Sequence, residues 1–387
     1  MKRKPNPISK FFVKLLGNEK YQSFSIPLFA ILLSLIVGAV VIVVLGKDPI
    51  SAYKNLLQGS GIFPKARYAG GKSMLTDFFS FINYWTPMIF ASLAVAVALK
   101  AGLFNIGISG QMLAAGFISS IVVGYSALPS PIAKPLVILI SVAAGGLVGA
   151  LIGWLKYKFN INEVVSSIMI NYIIQYVVAF LINTKYVDPV SRQSANVSDA
   201  ARLTLMSVEI GGYKYDIPLG FILAVIVAFV IQFIFNQTTF GYELKAVGSN
   251  RKAAQYAGIN VGKNMIMAML ISGALAGLAG ATYYMGYFCS IQPKVLAATG
   301  YDSIAVALLG NSNPIGILFS SFLISVIGKG STYMSSTAGL DAEMASVITG
   351  LILLFSACGA FIQYKVKRTK DKIEELEKNN TEVENNA

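Results

Sequence analysis

Apolar residues run along this chain in long unbroken blocks, parted by short polar stretches, with little of the alternation that marks a soluble helix or strand. Eight blocks have span length: Ile26 to Leu45, Ile82 to Leu99, Leu103 to Tyr125, Pro135 to Leu155, Val164 to Ile182, Pro218 to Phe235, Met265 to Tyr287 and Ala345 to Gln363. A helix needs roughly 20 such residues to cross a bilayer. A further block, Tyr301 to Ile327, is interrupted by Gly310 to Gly316 (GNSNPIG), and each half reads as too short to cross. The pattern predicts an all-α polytopic membrane protein of about 8–10 transmembrane helices: eight spans and a re-entrant hairpin, or ten spans if the two halves are counted separately.

Charge gives the orientation. Of 387 residues, 55% are hydrophobic and 13% charged, half the charged share of a soluble domain. The net charge of +13 does not indicate nucleic acid, because Lys and Arg gather at the ends of the apolar blocks, where they set topology and meet lipid headgroups. Lys2, Arg3, Lys4, Lys10, Lys14 and Lys20 place the N-terminus in the cytosol, and Lys365, Lys367, Arg368, Lys370 and Lys372 place the tail there. The predicted order is a basic cytoplasmic segment at 1–25, a membrane domain at 26–364 and a charged cytoplasmic tail at 365–387. Residues 46–81 and 183–217 then form outer loops, and 240–262 an inner one. The first outer loop carries Lys47, Lys54, Lys65, Arg67 and Lys72 against the rule. The start is basic like a signal sequence, but no small-residue cleavage site follows Ile26 to Leu45, which reads as an uncleaved span.

Chemistry is sparse. No His is present, so there is no imidazole base or His-bound metal, and no cofactor is expected on this chain. Glu163 and Glu343 sit at the ends of apolar blocks, and buried acids able to relay ions are nearly missing. Gly70 to Ser73 (GGKS) resembles the end of a phosphate loop, but Ala66 stands where its first Gly should be.

Three polar features break the apolar blocks. Leu99 to Phe117 (LKAGLFNIGISGQMLAAGF) holds Phe104, Asn105, Ser109 and Gln111 among glycines, a poor uniform helix and a good unwound one. Ala307 to Gly316, with Asn311 and Asn313, is a second break in the other half of the chain, and paired breaks point to a permeation site. Lining of a path and close packing through small residues both remain open for these breaks. In Asn160 to Tyr176, Ser167, Asn171 and Gln175 recur four apart on one helical face beside Tyr172, suited to interhelical hydrogen bonds or to a polar uncharged solute. The inner loop Phe240 to Gly262 (FGYELKAVGSNRKAAQYAGINVG) reads as two short helices, Tyr242 to Ala246 and Arg251 to Ala257, around Gly248-Ser249-Asn250.

Four of these stretches together, GLFNIGISGQMLAAG, NEVVSSIMINYI, LKAVGSNRKAAQYAGI and YDSIAVALLGNSNPIGI, resemble the membrane subunits of bacterial ABC importers. The resemblance is to the nucleoside and simple-sugar group, related to the branched-chain amino acid permeases, and covers about Ile82 to Gly316. Many nucleoside members carry Glu where this chain has Ser109, so that motif does not fix the solute. The resemblance implies a type II importer fold in the bacterial plasma membrane. It further implies nucleoside transport with a second homologous permease in a heterodimer, a cytosolic ABC ATPase that uses the ATP, and an extracellular substrate-binding lipoprotein. Phe104, Asn105, Ser109, Gln111, Ser167, Asn171, Tyr172, Gln175, Asn311 and Asn313 would line the path. Glu243, Lys245, Asn250, Arg251, Lys252, Gln255 and Tyr256 would meet the ATPase. A sugar such as ribose or galactose is the alternative solute, and an ion-coupled secondary transporter the alternative class.

Overall fold

The computed structural model describes residues 22–68, 70–339, 343–357 and 364–373. It separates into two compact units, residues 1–51 with 341–387, and residues 52–340. In the first, helices α1 (Gln22–Val44) and α13 (Glu343–Ala357) pack together, and the Ser34 hydroxyl donates to the Leu351 carbonyl at 3.2 Å. Residues 364–373 are helical. The rest of the charged tail and residues 1–21 lie outside the described residues. A short helix α2 (Pro49–Gly59) leads into the second unit.

The second unit is built on α3 (Met74–Lys100) and α10 (Val261–Thr282). The apolar windows of these spans are 83% and 72% buried inside the protein, against 28% for α7 (Leu219–Gln237), which places α3 and α10 at the centre of the unit and α7 at its periphery. Around them stand α4 (Ile108–Ser119), α5 (Ser130–Phe159), α6 (Glu163–Leu181), α11 (Ala298–Leu309) and α12 (Pro314–Ala338). Six helices of the described residues are long and apolar enough to cross a membrane, and α1 with α2 makes a seventh if that bent pair is one span.

The helix ends follow local chemistry. Asn162 caps α6 by accepting from Val164 N at 2.9 Å, and Asn160 closes α5 in the left-handed conformation, both regular solutions for orphan end groups. Glu163 opens α6 paired to Lys156 at 2.9 Å, and Glu343 opens α13; each sits at a helix N-terminus, where negative charge is favoured. Helices α5 and α10 meet along glycines. A Cβ at Gly149, Gly273 or Gly277 would overlap a carbonyl oxygen of the facing helix, so only glycine permits this approach.

Three findings depart from the sequence expectations. The second half of the interrupted block is not too short to cross: α12 runs Pro314–Ala338 because helix continues through the small and hydroxyl-rich stretch after Ile327. The outer loop 183–217 holds a β-hairpin, β1 (Thr204–Ile210) and β2 (Tyr213–Pro218), turning at Gly211-Gly212 with positive φ at both, the conformation of a tight hairpin turn. In the first outer loop, Lys65 is paired to Asp77 at 2.7 Å and lies 4.6 Å from the Tyr333 ring centroid, which neutralises part of the charge that ran against the topology rule.

Candidate translocation core and inner helices

Helix is lost between Lys100 and Gly107, at the predicted break. Gly102 turns the chain with φ +67, a conformation open to glycine at little cost. Asn105 then braces the unwound stretch. Its side-chain oxygen accepts from Gly107 N at 2.9 Å, and its nitrogen donates to Ser272 Oγ at 2.8 Å and to Gln111 Oε1 at 3.1 Å. Ser272 passes the chain of bonds to the Ala94 carbonyl at 2.7 Å. Buried backbone groups freed by unwinding need such partners.

A second clamp comes from α6. Asn171 Oδ1 accepts from Gly110 N at 3.0 Å, and its Nδ2 donates to the Ile106 carbonyl at 3.0 Å. Ser109 donates to the Ala297 carbonyl at 2.9 Å. Asn105, Ser109, Gln111, Ser167 and Asn171 are therefore brought together, all fully buried, and turned toward protein in this conformation. Ser167 Oγ has no hydrogen-bond partner among the described residues. Gln175 lies further along the same face and donates to the Lys294 carbonyl at 2.6 Å. Phe104 is half-buried, and Tyr172 points off that face and is exposed.

Asn311 and Asn313 lie apart from this group, at the turn between α11 and α12. Ser320 Oγ donates to the Val306 carbonyl at 2.9 Å across the hairpin, and Trp85 Nε1 to Ser321 Oγ at 2.8 Å. Asn311 and Ser312 hold positive φ. Asn313 caps α12 through Ile315 N at 3.0 Å, and both asparagines are exposed.

The inner loop folds as two helices, α8 (Thr239–Ser249) and α9 (Arg251–Tyr256), longer on the first and shorter on the second than predicted. Asn250 is the only break, and its side chain caps α9 by accepting from Lys252 N and Ala253 N. Leu244, Val247 and Ala254 face inward, and Tyr242, Lys245, Asn250, Lys252, Gln255 and Tyr256 face outward, with Tyr256 94% exposed and thus free for a partner. Glu243 and Arg251, expected on that outer face, turn into the protein: Glu243 accepts from Asn264 at 2.8 Å, and Arg251 Nη2 donates to the Gly102 carbonyl at 3.0 Å. Gly248 rests against Lys100 and Gly102, leaving no room for a Cβ. These contacts join the inner helices directly to the unwound stretch.

Sequence reading passed over two ionisable residues in apolar helices, Asp302 on α11 and Lys329 on α12. Lys329 Nζ donates to the Tyr287 hydroxyl at 3.1 Å and lies 4.9 Å from that ring's centroid. Lone charges in a span deserved notice on cost alone. Tyr242 was likewise missed, though its place before Glu243 on an exposed helix turn was readable.

Six helices of spanning length among the described residues, with inner-loop helices keyed to a broken membrane helix, are the build of a multi-pass transport component of the plasma membrane. The chain belongs to the family described as branched-chain amino acid transport system, permease component, whose model matches residues 78–357. It is 36% identical to the guanosine ABC transporter permease protein NupP of Bacillus subtilis over 90% of this chain and 97% of that one. It is 33% identical to the nucleoside ABC transporter permease protein NupB of Lactococcus lactis, over 91% and 96%. The glucose ABC transporter permease protein TsgB13 of Haloferax volcanii is 28% identical over 89% and 90%. No solved structure matches.

Proposed function

We propose that this chain is the membrane subunit of an ATP-driven importer for purine and pyrimidine nucleosides. It works with a second homologous permease, a separate cytosolic ATPase that holds the ATP, and an extracellular binding lipoprotein. The observation that carries the reading is the join between α8–α9 and the unwound stretch, through Arg251 to the Gly102 carbonyl and through Gly248. A push on the exposed face of α9 has a direct route to the unwound stretch between α3 and α4. The higher identity to the guanosine and nucleoside relatives than to the glucose relative supports the solute class. That glucose relative also keeps a simple sugar as the second reading.

In this reading Asn105, Ser109, Gln111 and Asn171 brace the break, and the path runs past the exposed turn at Asn311 and Asn313. Exposed irregular backbone between two apolar helices calls for water or a second subunit beside it. Lys245, Asn250, Lys252, Gln255 and Tyr256 meet the ATPase. Ala254 is buried, so a bulky residue there would damage packing rather than contact. The test is Lys252→Glu with Tyr256→Ala in the assembled importer. Uptake of labelled guanosine, uridine and ribose should favour the nucleosides in the parent and collapse in the variant, while the subunit still inserts. Unaltered uptake refutes the docking face, and ribose uptake without nucleoside uptake refutes the solute.

A further inference from the structure

Helix α10 does not end as an α-helix. Its last turn, Tyr283–Tyr287, is a π-turn, closed by Phe288 N to the Tyr283 carbonyl at 2.8 Å. In an α-helix, residues five apart point about 140° away from one another, whereas the wider turn stacks them on one side. Tyr283 and Phe288 accordingly meet with ring centroids 5.0 Å apart and planes tilted 55°. Tyr284 adds an edge contact to Tyr283 at 4.9 Å, and Tyr287 one to Phe288 at 4.8 Å.

Beside these rings lies a cavity of about 110 Å³, lined by Tyr283, Tyr284 and Phe288 with Val295 and Ala297, and by the polar side chains of Gln193, Ser290 and Gln292. Gln193 Oε1 is held by the Ser290 hydroxyl at 2.6 Å, which fixes the amide plane and leaves its nitrogen as a donor. Gln292 is exposed, with both ends of its amide available to a ligand. Aromatic rings and two carboxamides around one cavity are suited to a flat ring with donors and acceptors at its edge. Phe288 is 44% exposed, so part of its side chain remains uncovered.

We infer that this cavity is a receiving site for the base of a nucleoside, which stacks on Phe288, meets Tyr283 at an angle, and is read at its edge by Gln193 and Gln292. The inference rests on the nucleoside reading above and adds the site that distinguishes a nucleoside from a free sugar. A sugar offers neither a π-face to the rings nor an amide-like edge to the carboxamides.

The test uses the complete importer carrying Phe288→Trp, with adenosine, uridine and ribose as probes. Adenosine and uridine should quench the added indole, and ribose should not. Adding Gln292→Ala should raise the half-quenching concentration about tenfold, the scale of losing one good edge contact. Tyr287→Trp, whose position also touches Phe288, replaces the reporter if the first variant does not assemble. Absence of quenching by either nucleoside, equal quenching by ribose, or no effect of Gln292→Ala overturns the site. Parent importer that fails to take up labelled nucleosides overturns the functional reading instead, and it does so whatever the quenching shows.

Discussion

Gly248→Ala is the sharpest test of how the inner helices act on the membrane domain. The added Cβ would overlap the Lys100 carbonyl oxygen and come within 3.0 Å of both the Lys100 carbonyl carbon and Gly102 N. Non-bonded heavy atoms pack best at about 3.5–4.0 Å, so relieving the overlap with the Lys100 oxygen makes α8 draw back by roughly 1 Å, because backbone atoms cannot rotate out of the way. Overpacking of this size costs about 1–3 kcal/mol, small enough for the protein to insert. The same retreat pulls Arg251 from the Gly102 carbonyl, now 3.0 Å away, beyond hydrogen-bonding range. Coupling between two sites is usually worth about 1–3 kcal/mol, or about 5–150-fold. The importer reconstituted with its ATPase and binding protein should therefore hydrolyse ATP near the parent rate, while solute moved per ATP falls at least about fivefold. Gly146→Ala is the control, since a Cβ there has its nearest neighbour at 3.5 Å. A parent-like ratio of uptake to hydrolysis in Gly248→Ala, in protein shown to be inserted, refutes transmission through this contact.

Asn105→Ala should leave Gly107 N–H and the Gln111 amide without their present partner and lower stability by about 2–4 kcal/mol; thermal unfolding in detergent checks it, and an unchanged midpoint refutes the bracing role. Gly149→Val should stop accumulation of the subunit in the membrane, because its branched side chain would press into the Met269 carbonyl on α10. A normal yield of folded protein would show that the glycine seam tolerates separation.

What could be read in advance is set by the range of the interactions. The break at Lys100 to Gly107 was legible because Gly102, Asn105 and Gly107 are poor helix formers in a row, and the cap at Asn250 because its side chain bonds only to neighbours. The partner that makes Asn105 a brace is Ser272, 167 residues away, and nothing local announces it. The same distance problem hid the inward turn of Arg251 toward Gly102 and of Glu243 toward Asn264: charge in a polar loop suggests a solvent face, yet each side chain found a polar group on the membrane domain. The hairpin at Gly211-Gly212 is a different failure. Paired glycines between alternating apolar residues are a strand signal, masked by the expectation that an outer loop of a helical protein is plain connection.

Two other helices end as α10 does, α4 in a π-turn at Ser120–Gly124 and α6 in one at Ile182–Tyr186, and the three ends adjoin: the Tyr125 and Tyr186 rings stack at 5.7 Å, and Gly124 borders Met285. Each π-turn amounts to one surplus residue in an otherwise regular helix. Gain or loss of a single codon at any of the three would re-aim the segment that follows by about 100° and leave the glycine seam and the unwound stretch untouched. The protein thus has separable parts, three helix ends that one-residue changes can re-aim and a glycine seam and unwound stretch that such changes do not reach.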